Sequence, residues 1–325
     1  MRGYLPAALL AVLGLSCGSS SGEEVATDVV AFQPYSGAEW AGVLAIRVGG
    51  ETVDYRSNAG PVTLPGLNLQ SLLLPVVETV DGRLLLLDGA GNAPLAVSST
   101  RAVPSNIARC FHGYLCQTSS GDVVDPESFG MVPLRDYPAV RGASHCDGSF
   151  CIVAGRALAR DGAVVVPGGV VDIVAVSWAD IGGGVYRGGY AFLRSDGSVA
   201  TAGYDSEKDY VREVVGLPPI RRIHRGGVYE DYSGHMWYVG MAPDEWTDTV
   251  IPSDVPRRQC DVFVGLKLSL KSVSCVGPAI LPALEGTKPQ LDYGKDFIPV
   301  LYALDKAGTL RCWSAPGGPA CVKGE

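Results

Sequence analysis

Nine cysteines and four histidines are the residues of this chain best equipped for chemistry. Two clusters, Cys110 with His112 and Cys116, and His145 with Cys146 and Cys151, hold ligand types that zinc accepts, yet neither spacing is a standard zinc pattern. Oxidation is the competing chemistry. Setting Cys17 aside leaves eight cysteines, an even number, which fall into neighbouring pairs: Cys110/Cys116, Cys146/Cys151, Cys260/Cys275 and Cys312/Cys321. In an exported chain that arrangement reads as four disulfides. Many pairings are open to eight cysteines, so bonding between sequence neighbours is an expectation. The run Cys146-Asp147-Gly148-Ser149-Phe150-Cys151 favours it by placing an Asp-Gly turn between two thiols. No metal and no cofactor is expected, and His224 and His235 read as exposed strand and turn residues.

Other catalytic patterns fail on context. The two G-x-S-x-G matches, Gly14 to Gly18 and Gly18 to Gly22, lie at the extreme N-terminus, where no strand-to-helix elbow can form. H-E-x-x-H, the phosphate-binding Gly-Lys loop and the calcium-loop ligand series are all missing from the sequence. Gly89-Ala90-Gly91-Asn92 lacks the third glycine and following helix of a dinucleotide fingerprint. Asp244 and Glu245 are adjacent in sequence, with no second acid identified across a cleft. No catalytic residue is assigned.

The N-terminus speaks to compartment. One positive charge at Arg2 precedes a short apolar stretch from Leu5 to Leu15, closed by Ser16-Cys17-Gly18. Residues 1–17 are therefore expected to be a secretory signal, too short for a permanent span. Its end resembles a bacterial lipobox, with Gly14 where Leu is usual, and the resemblance implies lipidation of Cys17. The alternative is an ordinary signal peptide cleaved nearby. Gly18 after the cysteine, by resemblance to Gram-negative lipoproteins, implies the outer rather than the inner membrane. Residues 18–34 are expected to be a flexible tether rich in Ser and Gly, and 35–325 the folded domain.

What positions the cysteines and histidines is a repeat. Apolar runs flank a tight turn ending in Gly at Gly50, Gly82, Gly121, Gly162, Gly197, Gly234 and Gly308, with Lys271 in the equivalent place where the pattern is weakest. The clearest unit is Ala191-Phe192-Leu193-Arg194-Ser195-Asp196-Gly197-Ser198-Val199-Ala200, whose Asp-Gly pair suits a hairpin turn between β-forming residues. Pro65, Pro104, Pro218 and Pro256 precede their turns at a similar distance and suit a strand start or outer edge. With 42 Gly, 22 Pro and 47% hydrophobic residues, and without long helical periodicity, the chain reads as all-β. A single β-propeller of about seven four-stranded blades is expected, with eight as the alternative and with the chain ends meeting in one blade.

The stretch from Val166 to Gly203, with Pro167-Gly168-Gly169, Gly182-Gly183-Gly184 and Ala191 to Val199, resembles a repeat of the regulator of chromosome condensation family. Leu217-Pro218-Pro219-Ile220 resembles the opening of another, and Tyr302 to Ser314 the second half of one, including its Cys-Trp ending. The resemblance implies a propeller and transfers no functional residue.

Charge narrows the partners. The chain carries −8, and loss of Arg2 with the signal makes it −9, which argues against nucleic acid. Arg221, Arg222 and Arg225 read as outward strand residues, and Trp40, Trp178, Trp237, Trp246 and Trp313 as packing or rim residues. Two function classes follow. One is a non-catalytic, monomeric cell-envelope lipoprotein that binds an envelope protein or polysaccharide through its propeller. The other is a propeller hydrolase or lyase whose catalytic groups come from several blades. Converging His and acids at the propeller axis would favour the enzyme. The longest irregular connections, Ser119 to Pro138 and Met241 to Arg258, are the expected recognition loops.

Overall fold

The computed structural model describes residues 22–36, 41–88, 95–112, 115–125, 135–180, 185–203, 211–242, 250–264, 267–293, 299–314 and 320–322. Cys17 lies outside these residues. The described residues form seven blades of antiparallel strands. Blade 1 is β2 (Val29–Ser36), β3 (Ala41–Arg47), β4 (Glu51–Arg56) and the first half of β5 (Gly60–Leu73). The second half of β5 bends past Pro65-Gly66 into blade 2, with β6 (Val76–Thr79), β7 (Leu84–Asp88) and β8 (Ala96–Val97). Blade 3 holds β9 (Ile107–Phe111), β10 (Leu115–Thr118) and β11 (Val123–Val124), its fourth strand reduced to a bridge between Val124 and Asp136. Blade 4 is β12 (His145–Asp147), β13 (Phe150–Val153), β14 (Arg156–Ala159) and β15 (Val164–Val166).

Blade 5 contains β16 (Val170–Asp180), β17 (Val185–Arg194), β18 (Val199–Gly203) and β19 (Arg212–Glu213). In blade 6, β20 (Ile220–His224), β21 (Val228–Asp231) and β22 (Met236–Ala242) are followed by β23 (Arg257–Val264) and β24 (Lys267–Ile280). The far end of β24 is the blade's outer strand, while β23 reaches across to pair in parallel with β17. Blade 7 is β25 (Lys288–Tyr293), β26 (Pro299–Leu304), β27 (Leu310–Ser314) and, as outer strand, the N-terminal β1 (Glu23–Ala26). The chain ends thus meet in one blade, as expected for a closed array that leaves no open edge between first and last blades.

Closure is also visible in the packing. Seven clusters of buried side chains each join two successive blades, the last uniting Val300, Tyr302 and Leu310 of blade 7 with Phe32, Val43 and Val53 of blade 1. The Cys312–Cys321 disulfide holds the tail against that same cluster, where Val322 is fully buried.

The seven turn glycines all have φ between +81° and +89°, a region that L side chains rarely adopt. At Gly197 the reason is doubled, since a Cβ there would stand 2.9 Å from Pro219 and 3.0 Å from the Ile220 nitrogen at the start of the next blade. Three expectations need correction. Gly162 joins the third and fourth strands of its blade, because the short turn at Ala154-Gly155 takes the place between the second and third. Lys271 lies inside β24, which stays paired with β23 as far as Val264 and Lys267. The tether expected over 18–34 is strand from Glu23 onward, because Val25, Val29 and Phe32 bury against blade 7.

Candidate functional site

The first strand of each blade is its edge nearest the axis, and these inner strands hold neighbouring blades together. Leu74 N–H donates to Gln33 Oε1 at 3.0 Å, and Ala175 N–H to Asp147 Oδ2 at 2.7 Å. Gly148 N–H donates to the His112 carbonyl, Gly226 N–H to that of Ala175, and Leu291 N–H to that of Arg225, at 3.4, 3.1 and 3.0 Å. Gln290 Nε2 donates to the Phe32 carbonyl at 3.1 Å. Six of the seven junctions are tied in this way. Among the described residues, the junction between blades 2 and 3 has no counterpart.

Titratable groups from blades 3 to 6 converge at the axis. Arg225 Nη1 lies 3.1 Å from His112 Nδ1, and because a guanidinium can only donate, Nδ1 is the bare acceptor and the ring is neutral. Burial, reinforced by Arg225, pushes the His112 pKa down to about 3. Asp147, 3% exposed, has its pKa raised by burial, which outweighs the opposing pull of Arg225. Burial likewise raises Asp172, whose Oδ1 sits 3.8 Å from His145 Nε2. Each group also serves the scaffold: Asp147 and Asp172 accept the Ala175 and Ile173 amides, and His145 Nε2 approaches the Ile173 carbonyl at 3.1 Å.

The predicted cysteine chemistry is disulfide. Cys110 faces Cys116 across β9 and β10, and Cys146 faces Cys151 across β12 and β13, so both bonds staple an inner strand to its neighbour. This engages the thiols of both His/Cys clusters, removing the thiolates a zinc site would use. Three disulfides are formed among the described residues, while the side chains of Cys260 and Cys275 fall outside them. Their backbones face Val273 and Arg258 respectively.

His224 corrects the expectation of an exposed strand histidine: it is 8% exposed, 3.4 Å from Glu230 Oε2, and burial lowers its pKa to about 4. His235 does sit at a turn, with Nδ1 3.2 Å from Asp231. Arg221 and Arg222 face outward, Arg221 paired with Glu230, while Arg225 turns to the axis. Trp237 donates to Asp231 and Trp313 is buried between blades 6 and 7, whereas the side chains of Trp40, Trp178 and Trp246 are outside the described residues. Of the two expected recognition loops, Ser119 to Pro138 contains β11 and the Asp136 bridge, with 126–134 outside the described residues, as are 243–249 of the second.

Sequence reasoning missed a cleft of about 380 Å³ at the untied junction. Its apolar wall includes the partly buried Leu73, Leu84, Val103 and Pro104. Polar groups stand beside it: Ser71 donates to Glu78 at 3.3 Å and Arg83 is held by Asp81 at 2.7 Å, while the Arg109 side chain turns toward blade 4, donating to Gln117 and to the Ala143 carbonyl at 2.9 and 3.0 Å. The volume lies within the roughly 300–1,000 Å³ range of small-molecule sites.

No family model and no curated protein matches the chain. Among solved structures, it aligns with an Aleuria aurantia lectin mutant in complex with alpha-methyl-L-fucoside at 13% identity and a TM-score of 0.36, covering 93% of this chain and 97% of that one. It also aligns with the WD40 β-propeller domain of Doa1 at 11% identity and a TM-score of 0.31, covering 92% and 97%.

Proposed function

We propose that this chain is a non-catalytic binding protein of the bacterial cell envelope, a propeller of regulator of chromosome condensation type that captures a protein or glycan. The observation that carries this reading is the cleft between blades 2 and 3, where half-exposed apolar side chains and polar groups of both signs face solvent together. The charge of −8 speaks against a nucleic-acid partner, and the protein works as a monomer. Attachment through a lipid on Cys17, with Gly18 directing it to the outer membrane, would hold the propeller near such partners. Affinity capture from envelope extract tests the reading: a specific protein or polysaccharide is expected, lost when Glu78 and Arg83 are both replaced by Ala. Capture unaffected by those changes would remove the cleft from the account. For the anchor, C17S is expected to release the protein from the membrane fraction or to stall its processing.

A second reading, a hydrolase or lyase, is favoured by the axial convergence of His112, His145, Asp147, Asp172 and Arg225 from four blades. Turnover of a glycan, lactone or ester that is abolished in His145→Gln, with an unchanged melting temperature, would establish it over the first.

A further inference from the structure

We infer that the cleft between blades 2 and 3 takes a neutral saccharide, its C–H face on the leucine and proline wall and its adjacent hydroxyls on Glu78 and Arg83. This deepens the binding reading above and rests on it. Three features of the lining select the ligand class. First, no aromatic side chain among the described residues lines the cleft, so a planar ring finds no stacking partner among them. Second, hydrogen-bonding groups of both kinds are present. The Glu78 carboxylate accepts only, the Arg83 guanidinium donates only, and Ser71 and Ser105 do either. A ligand matching that mixture offers donors and acceptors side by side, as adjacent hydroxyls do.

Third, the positive charge is already balanced. Asp81 holds Arg83 Nε, and the Arg109 guanidinium is turned away toward blade 4, over the Phe111 ring at 4.8 Å and donating to Gln117 and the Ala143 carbonyl. What remains is donor geometry without surplus cation, set against the Glu78 carboxylate, so an anionic ligand gains little. The partly buried Leu73, Leu84, Val103 and Pro104 give the other side of the ligand an apolar seat. A saccharide ring presents these two faces at once: hydroxyls on its rim and C–H bonds on a flat side.

The test uses the mature protein and two probe sets, neutral methyl hexosides and the corresponding methyl uronates, in saturation-transfer NMR and calorimetric titration. A neutral hexoside is expected to bind, with saturation strongest on the ring C–H protons of one face. Glu78→Gln and Arg83→Gln are each expected to weaken binding at least tenfold while the melting temperature stays the same. The inference is overturned if uronates bind and neutral hexosides do not, if neither set binds at millimolar concentration, or if both variants bind as the parent does. Envelope capture that survives these negative results, yet is lost on changing Glu78 and Arg83 together, would leave the cleft as a binding site for another ligand class and reject only the saccharide.

Discussion

The junction between blades 4 and 5 and the junction between blades 2 and 3 share one strand arrangement and are filled differently. Between blades 4 and 5, Phe150 meets Tyr190 and Phe192 edge to face, with ring centroids 5.0 and 5.4 Å apart, and Ala157, Ala159, Ala200 and Ala202 make room for the rings. Between blades 2 and 3 the buried set is Val76, Leu86, Ile107, Cys110, Cys116 and Val124, with Leu84 and Val103 only partly covered. The first junction also has the Asp147 to Ala175 tie at the axis, which the second lacks among the described residues. A propeller's wedge-shaped gaps need bulk to close them. Where the chain supplies rings the gap becomes core, and where it supplies valine and cysteine the gap stays open as a site.

Phe150→Ala is the strongest way to break this comparison. Truncating a fully buried ring that touches two others is expected to cost about 3–5 kcal/mol, measured by denaturant unfolding. A loss below about 1 kcal/mol would mean that the junction does not depend on its rings.

Removing the Cys110–Cys116 bond by double replacement with Ser comes next. A six-residue separation closes a short loop, for which the chain-entropy account gives about 2 kcal/mol. Because this bond staples the inner strand at the junction without an axial tie, the loss is expected together with weaker protection from hydrogen exchange in β9. Unchanged exchange in β9 would show that the sheet alone holds that strand.

These contrasts also mark what could be read from the chain. The turn glycines were legible because a tight hairpin imposes a local demand on φ that only a few residues meet. Gly162 looked equivalent to the others because Ala154-Gly155, lacking the Asp of the repeat, makes an equally tight turn without announcing it. The sequence carries a further signal. Ile107 to Phe111, Val170 to Val174 and Ile220 to His224 share an apolar residue, two polar or exposed ones and an apolar return, and each has a bulge at its second residue. That pattern marks the inner strands. The axial cluster was illegible because His112, Asp147, Asp172 and Arg225 are brought together only by ring closure. The cleft was illegible for a different reason, since it arises from side chains too small to fill a gap whose width no local pattern encodes.

The third prediction concerns acid. His112 has its pKa depressed from the ordinary 6.5 to about 3, so in acid the unfolded chain takes up a proton that the folded chain refuses. Its share of stability is therefore present above pH 6.5 and is lost as the pH falls toward 3. Asp147 acts with the opposite sign, because a raised carboxyl pKa makes stability fall as pH rises from its ordinary 3.8. The two overlap, and Arg225 and His145 act on both. The difference between parent and His112→Gln isolates the histidine: melting temperatures taken from pH 7 to pH 4 are expected to converge or cross as the parent loses more on acidification. A constant difference across that range would show that His112 is not the group that titrates.

The smallest effect on stability is expected at the open junction, and for that reason it sharpens the comparison most. Leu84 lies on the wall of the cleft, partly buried at the edge of the Val76 and Leu86 cluster, so Leu84→Ala trims one side of a gap that is already open. Less packed surface is lost than in Phe150→Ala, and the loss of stability is expected to stay below about 1.5 kcal/mol. Ligand binding is expected to respond in the reverse order, weakening in Leu84→Ala when compared with a wall-preserving Leu84→Met. Paired melting and titration of the two variants separates the effects. If Leu84→Ala destabilises the fold as much as Phe150→Ala does, the cleft is ordinary core and the distinction between filled and open junctions fails. If it changes neither stability nor binding, the apolar wall is not a surface on which the ligand rests.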